Sequence, residues 1–187
     1  MEDIIKLLNE KDKIINQYKK EIIELKKQVE YYKNQSCTDS LTNLKNRRAI
    51  KELNGIDVVV LGDIDHFKVI NDTYGHEFGD MVLVEVSNVL RDCTRNTDSV
   101  YRWGGEEFVI CLQGCKLIDG YNKALVCKNK IEELKYKFGF NITMSFGVSD
   151  LTNKTLQQAI EEADEAMYKS KENGRNLVTI YQLKRNK

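Results

Sequence analysis

The sequence predicts an α/β domain preceded by a long N-terminal helix, and three observations support that prediction. Apolar residues within positions 1–34 recur at alternating intervals of four and three. Beyond residue 38, segments of helical periodicity alternate with short β-branched runs. Two of those runs flank Gly104-Gly105, which is typical of a β-hairpin. Such alternation indicates helices packed on a sheet.

Residues 1–34 are predicted to form a separate coiled-coil segment, and residues 35–187 the globular domain. The a positions of the repeat are Leu8, Ile15, Ile22 and Val29. Because three of the four are β-branched, they favour a parallel two-stranded assembly, and hence a homodimer. Lys11 at a d position weakens the repeat. The alternative is a single amphipathic helix that packs on its own domain or on another partner. Residues 34–38 lack periodicity and are predicted to be a hinge.

The remaining elements follow from periodicity and turn residues. We expect helices at residues 40–53, 80–93, 118–137 and 155–172, the last ending at Asn173-Gly174. We expect strands at residues 56–61, 99–103, 108–112, 140–148 and 177–181.

Composition excludes several classes of protein. The 187 residues include 29 basic and 29 acidic side chains, so no overall charge attracts nucleic acid or an anionic membrane. Phosphate binding must therefore be local, and we expect no nucleic-acid partner. No apolar run approaches the ~20 residues that span a bilayer, and no signal peptide is evident. We expect a cytoplasmic protein without membrane insertion. The five cysteines form no CxxC pair and are expected to be reduced thiols.

Three carboxylates occupy chemically suggestive positions. Asp63 ends a buried apolar run, and Glu106 and Glu107 follow the Gly104-Gly105 turn. If the hairpin lies beside that strand, the carboxylates converge, and oxygen ligands of this kind favour Mg²⁺ or Mn²⁺. Because neighbouring strand residues face opposite ways, Glu106 and Glu107 can share an ion only if the hairpin bends. The alternative is a solvated acidic turn.

Five separated motifs resemble those of the GGDEF family of diguanylate cyclases. RWGGEEF at residues 102–108 is similar to the family signature in its GGEEF form. The other matches, in chain order, are DSLTNLKNRR (39–48), DIDHFKVINDTYGH followed by GD (63–80), SFGV (145–148), and ADEAMY with GRN (163–176). The resemblance covers about residues 38–182. The main departure is Asn43, where the family usually has glycine; because Asn tolerates the left-handed conformation, we expect little consequence.

The resemblance implies a fold and a reaction. The fold would be a central, mostly antiparallel sheet of the βαββαβ plan that nucleotidyl cyclases share with polymerase palm domains, flanked by helices. The reaction would condense two GTP molecules into cyclic di-GMP with release of two pyrophosphates, at the interface of a homodimer.

The resemblance also implies roles for matching residues. Asp63, Glu106, Glu107 and the carbonyl group of Ile64 would hold two Mg²⁺ ions, with Glu106 as the candidate base. Asn71 and Asp80 would read guanine. The phosphate-binding residues would be Lys68, Lys171 and Arg175, assisted by backbone N–H groups near Phe67.

An RxxD segment, Arg95 to Asp98, matches the family's inhibitory product site in register with the signature turn. The resemblance therefore implies that cyclic di-GMP binds there and slows turnover.

Two other functions remain open at the level of sequence. A degenerate domain could bind cyclic di-GMP or GTP as a receptor without turnover. A coiled-coil scaffold could use the globular domain only for docking, although the polar motif residues would then have no role. Since no sensory domain is visible, an upstream sensor partner could act through the N-terminal helix.

Overall fold

A computed structural model of the chain describes residues 2–52 and 55–182. The chain divides into two compact units, Met1–Thr38 and Asp39–Lys187. The first unit consists mainly of helix α1 (Glu2–Ser36). Its described apolar side chains are exposed, among them Ile15 at 40% and Ile22 at 51%. Residues 34–36 of the predicted hinge are helical, and residues 34–38 contain no glycine or proline to break the helix.

The second unit alternates strands and helices along the chain. The strands are β1 (Lys45–Asn46), β2 (Val58–Ile64), β3 (Ser99–Arg102), β4 (Glu107–Leu112), β5 (Met144–Asp150) and β6 (Val178–Ile180). The helices are α2 (Phe67–Tyr74), α3 (His76–Asp92), α4 (Leu117–Glu132), α5 (Lys135–Phe138) and α6 (Leu156–Glu172). The helix predicted over residues 118–137 is divided into α4 and α5. The strand predicted from residue 140 begins at Met144.

The helix predicted over residues 40–53 is wrong. That segment contains a turn, strand β1 and the 3-10 helix Arg47–Glu52. A carboxylate oxygen of Asp39 accepts hydrogen bonds from the N–H group of Thr42 at 2.8 Å and from its hydroxyl at 2.7 Å. Such side-chain bonds offer the backbone an alternative to a helix. Asn43 then adopts φ 56°, so its expected tolerance of the left-handed conformation is confirmed.

One six-stranded sheet runs through the domain in the order β1-β3-β4-β2-β5-β6. The three central pairings are antiparallel, whereas the outer pairs β1–β3 and β5–β6 are parallel. The mostly antiparallel sheet is therefore confirmed, and β2 to β5 with their intervening helices follow the βαββαβ plan.

Helices cover both faces of the sheet. Apolar side chains of α2, α3 and α4 form one core, and those of α6 and the 3-10 helix form the other. Helix α6 approaches β5 so closely that a Cβ atom on Gly147 would lie 1.9 Å from the carbonyl oxygen of Ala163. Only glycine allows this backbone contact, which places the end of α6 beside the end of β2. In the described parts of the chain, no helix is long and apolar enough to cross a membrane.

Candidate active site

The register of the central strands places two of the predicted carboxylates side by side. Asp63 in β2 lies directly opposite Glu107 in β4 and opposite Ser145 in β5. Residues directly opposite in an antiparallel pair have Cβ atoms about 5 Å apart on the same face. Strand alternation puts Asp63 on the face of Val59 and Leu61, which belong to the core that packs against α6.

Helix α6 supplies a cation to this face. The ammonium group of Lys171 lies 2.7 Å from Oδ1 of Asp63, which is only 5% exposed. This oxygen is buried, and it has no hydrogen-bond partner among the described residues besides Lys171. Burial raises the pKa of Asp63, and the charge of Lys171 opposes that rise. Because a buried carboxylate is costly unless positive charge balances it, the position is suited to cations.

The signature turn brings two further carboxylates to the same place. Glu106 lies in the turn, and Glu107 is the first residue of β4. Because Glu106 is outside the strand, the two side chains need not point to opposite faces of the sheet. The carbonyl oxygen of Glu107 accepts the N–H group of Trp103 at 2.8 Å, and that of Glu106 accepts the N–H group of Ile64 at 3.3 Å. A Cβ atom on Gly104 would lie 2.3 Å from Oε2 of Glu107. A larger residue at position 104 would therefore have to displace the Glu107 carboxylate.

The carboxylates repel one another electrostatically. Burial, followed by the negative charge of Asp63, raises the pKa of Glu106 and of Glu107. Asp164 on α6 further raises the pKa of Glu107. The site therefore favours a positive charge beyond that of Lys171.

This donor set fits a divalent cation that shares its coordination with a ligand. In the described residues, no three Asp, Glu, His or Cys side chains form a metal-binding group by themselves. Mg²⁺ commonly uses only one or two protein carboxylates and takes its other oxygens from water and substrate phosphates. The buried carboxylate of Asp63 and the adjacent glutamates meet that requirement.

The predicted guanine-reading residues lie on consecutive helices. Asn71 is half-buried near the end of α2, and Asp80 is exposed in α3. The amide oxygen of Asn71 lies against Gly79, where a Cβ atom would come within 1.9 Å of it. Asn71 thus contacts the residue that directly precedes Asp80.

Of the predicted phosphate-binding residues, Lys171 contacts one of the carboxylates, but within the described part of the chain the others do not. The side chain of Phe67 is buried in the core at the start of α2, so only its backbone could meet a phosphate. Lys68 and Arg175 are exposed, and no contact in the described residues joins them to the carboxylates. Arg175 lies in the turn after α6 with φ 65°.

A buried carboxylate not assigned a role from the sequence supports that turn. Asp65 accepts hydrogen bonds from the hydroxyls of Thr143 at 2.8 Å and Ser145 at 2.7 Å, and from the N–H group of Asn176 at 3.0 Å. It therefore ties the turn of Arg175 to the end of β2. The only sequence indication was its position two residues after Asp63, on the same face.

The opening motif also contacts the signature turn. The guanidinium group of Arg102 lies 3.1 Å from Asp39 and donates to the carbonyl oxygen of Gly105 at 2.8 Å. One arginine thus joins the first residue of the globular unit to the turn that bears the glutamates.

The RxxD segment forms a tight turn at the end of α3. Asp98 accepts the N–H groups of Arg95 at 3.0 Å and Gln113 at 3.4 Å, whereas the Arg95 side chain is exposed. Arg95 and Asp98 line two adjacent pockets of about 210 and 360 Å³, and Lys45 and Arg91 also line the larger one.

All five cysteines are free thiols.

Comparison with protein families gives one match that spans most of the chain. The family described as “Diguanylate cyclase, GGDEF domain” matches residues 36–177. Diguanylate cyclase A of Treponema denticola is 43% identical over 128 residues, which are 65% of this chain and 34% of the relative. Diguanylate cyclase DgcS of Shewanella oneidensis is 31% identical over 162 residues, 78% of this chain and 53% of the relative. The chain thus spans about a third to a half of these relatives.

Solved structures show the same architecture. The coiled coil and GGDEF domain of DgcB from Caulobacter crescentus, in complex with c-di-GMP, aligns with a TM-score of 0.77 at 28% identity, covering 90% of this chain and 98% of that one. The diguanylate cyclase SiaD from Pseudomonas aeruginosa, in complex with its activator SiaC, gives a TM-score of 0.72 at 28% identity, covering 96% and 75%. The active GGEEF domain of a diguanylate cyclase from Vibrio cholerae gives 0.68 at 30% identity, covering 74% and 98%.

Proposed function

This chain belongs to the GGDEF family of diguanylate cyclases, and we propose that it condenses two GTP molecules into cyclic di-GMP with release of two pyrophosphates. The observation that supports this most directly is the pairing of Asp63 with Glu107 in register, with Lys171 against Asp63 and Glu106 in the adjoining turn. Asp63 is buried, and Glu106 and Glu107 are half-buried. Such a group of carboxylates beside one lysine suits a nucleoside triphosphate bound with divalent cations.

Asp63, Glu106, Glu107 and the carbonyl group of Ile64 would hold two Mg²⁺ ions, or Mn²⁺, together with the triphosphate. Bound there, the ions would neutralise the phosphates and the charge that develops on the leaving pyrophosphate. Lys171 would exchange its contact with Asp63 for one with a phosphate oxygen. Glu106 would accept the proton of the attacking 3′-hydroxyl, directly or through a water molecule.

Residues of α2, of the first turns of α3 and of the end of α6 and the turn after it would bind the nucleotide. Asn71 and Asp80 would pair with the guanine edge, where a carboxylate accepts from N1–H and the N2 amino group and leaves adenine unmatched. Lys68, Lys171 and Arg175 would hold the β- and γ-phosphates, with the free N–H groups at the start of α2 near Phe67.

Turnover would require two domains, each with one GTP, to meet face to face. We infer that α1 pairs in a parallel coiled coil and thereby raises the effective concentration of the second domain. The exposed apolar side chains of α1 support this homodimer. An activator or sensor could act through the same helix, as an additional partner.

Inhibition by the product cyclic di-GMP would act at the turn from Arg95 to Asp98. The exposed guanidinium of Arg95 could fork onto a phosphate or a guanine edge of cyclic di-GMP, with Asp98 next to it. Product bound there would slow turnover.

The proposed activity is tested by incubating the protein with GTP and Mg²⁺ over a range of protein concentrations and measuring cyclic di-GMP. We expect product whose specific rate rises with protein concentration, because two domains must meet. Glu106→Gln should abolish turnover, whereas Glu165→Gln, an exposed acidic change on α6, should not. Binding of cyclic di-GMP without turnover by the wild-type protein would instead identify a receptor. Absence of both nucleotide binding and turnover would leave a scaffold.

A further inference from the structure

Four aromatic side chains form a cluster at the junction of α2 and α3, away from the carboxylates. Tyr74 stacks on Phe140 with a centroid distance of 5.0 Å and an interplanar angle of 13°. Phe78 contacts Tyr74 at 5.0 Å, Phe138 at 5.4 Å and Phe140 at 5.8 Å. We call Tyr74, Phe78, Phe138 and Phe140 the aromatic cluster.

The cluster joins three parts of the domain that are distant in sequence. Tyr74 is the last residue of α2, Phe78 lies in the first turn of α3, and Phe138 and Phe140 flank the end of α5. Three of the four rings are half-buried and Tyr74 is 52% exposed. Phe78, Phe138 and Phe140 are partly buried against the main core, so replacing one of these rings should cost less stability than replacing a fully buried residue.

The two helices that the cluster joins also bear the proposed guanine-reading residues. Gly75, with φ 87° and ψ 162°, is the only residue between α2 and α3. Asn71 lies one turn before Gly75, and Asp80 little more than one turn after it. The angle at Gly75 therefore determines how far apart the Asn71 amide and the Asp80 carboxylate lie.

Covalent geometry alone does not hold that angle. Glycine has a broad range of allowed conformations, so contacts between the helices and with other segments must keep their orientation. Gly79 of α3 provides one such contact, against Phe67 and Asn71 of α2. Phe140 contacts one ring from each helix, Tyr74 of α2 and Phe78 of α3. An ion pair between Lys137 and Glu85 provides a second link from the α5 segment, but to α3 alone.

We propose that Phe140 is a positioning residue for guanine recognition. By bridging Tyr74 and Phe78, it holds α2 and α3 at the angle at which Asn71 and Asp80 converge on one base. This role rests on the proposed function, because it presumes that these two side chains read guanine. It also assigns a role in nucleotide specificity to a segment some 60 residues further along the chain than Asp80.

The test is the affinity of the purified protein, with Mg²⁺, for a non-hydrolysable GTP analogue and for the matching ATP analogue, measured by calorimetry. Phe140→Ala should bind the GTP analogue about tenfold more weakly and the ATP analogue unchanged, since small displacements at a polar site cost about that much or more. Phe140→Tyr keeps the ring and should restore affinity to within about twofold. In turnover, KM for GTP should rise while kcat at saturation changes by less than about twofold.

A structural control separates positioning from general destabilisation. Val89→Ala removes a half-buried side chain of α3 outside the cluster and should lower the unfolding temperature without changing the affinity ratio. If Phe140→Ala lowers the unfolding temperature but keeps the wild-type ratio, the positioning role is overturned and the proposed function stands. If the wild-type protein does not prefer the GTP analogue, both are overturned.

Discussion

Asp39 and Arg102 are separated by 63 positions in the sequence, yet their side chains form an ion pair at 3.1 Å. Arg102 uses the rest of its guanidinium group to donate to the carbonyl oxygen of Gly105 at 2.8 and 3.3 Å. The turn that bears Glu106 and Glu107 is therefore anchored to the first residue of the globular unit.

Replacement of Arg102 by lysine should loosen that turn, because an ammonium group cannot reproduce the planar fork that reaches both Asp39 and Gly105. We expect turnover at saturating GTP to fall about tenfold, and the free energy of unfolding to fall by about 1–2 kcal/mol. Steady-state kinetics and denaturant titration measure the two effects. Arg48→Lys, on the exposed surface of the 3-10 helix, is the matched control. Wild-type turnover in Arg102→Lys would contradict the anchoring role.

The Asp39 carboxylate should also make stability depend on pH. Burial opposes its ionisation, but hydrogen bonds from Thr42 and Arg102 outweigh that effect and lower the pKa of Asp39. A lowered pKa in the folded state contributes stability above the unfolded value, about 3.9, and that contribution is lost as the pH falls through the folded value. Asp39→Asn should therefore be less stable than the wild type at pH 7, and the difference should shrink below about pH 4. Denaturant titrations at several pH values test this; a constant difference would contradict it.

Gly79→Ala should impair nucleotide binding with little effect on the fold. The new Cβ atom would lie 1.9 Å from Oδ1 of Asn71 and must displace that side chain. If Asn71 reads guanine, KM for GTP should rise about tenfold, the effect of losing a hydrogen bond at a polar recognition site. Glu77→Ala, an exposed change in the same helix, should leave KM unchanged. An unaltered KM in Gly79→Ala would show that Asn71 does not contact the nucleotide.

Arg95→Ala should relieve product inhibition without changing the initial rate. The Arg95 side chain is exposed, and its backbone N–H group supplies its bond to Asp98, so the turn should survive the change. We expect at least a tenfold increase in the cyclic di-GMP concentration that halves the rate, since a charge-assisted bidentate contact is lost. Thr97→Ala, an exposed change in the same segment outside both pockets, is the matched control. Asp98 is a poorer choice, because it accepts two backbone N–H groups. Equal inhibition of Arg95→Ala and the wild type would rule out this site.

Ile22→Lys should lower activity only when the protein is dilute. Ile22 is 51% exposed along α1 and occupies an a position of the predicted coiled coil, where a lysine disfavours dimer packing. We expect the specific rate to fall several-fold at low protein concentration and to recover as the concentration rises. Sedimentation provides the oligomeric state of the same samples. Glu24→Lys, on another side of the helix, is the control; a wild-type concentration dependence in Ile22→Lys would exclude the coiled coil as the tether.

Much of the fold was predictable because its signals are local. The amphipathic periodicity of α3 and α6 and the apolar runs of β2 and β4 are encoded within each segment, and the structure contains these elements within a few residues of the expected bounds. The segment at residues 40–53 failed because its periodicity resembles a helix, whereas the side chain of Asp39 caps a turn there.

The candidate site, like the fold, was predictable only in part from the sequence. The residue types and their order along the chain predicted Asp63, Glu106 and Glu107 as a carboxylate group, and the GGDEF motifs identified the family. Sequence did not indicate that Asp65 is a buried support rather than a fourth acidic group at the site, because that depends on Thr143, Ser145 and Asn176.

The sequence alone therefore determined the type and order of most elements, except β1, the 3-10 helix and α2, together with the tolerance of Asn43 for the left-handed conformation and the residues available for chemistry. Tertiary structure decided the register of Asp63 against Glu107, the contact of Lys171 with Asp63, and the link between Asp39 and Arg102. Periodicity and turn chemistry act between neighbours in the chain, whereas register and ion pairs depend on the packing of segments far apart. That packing is settled only when the whole core is buried.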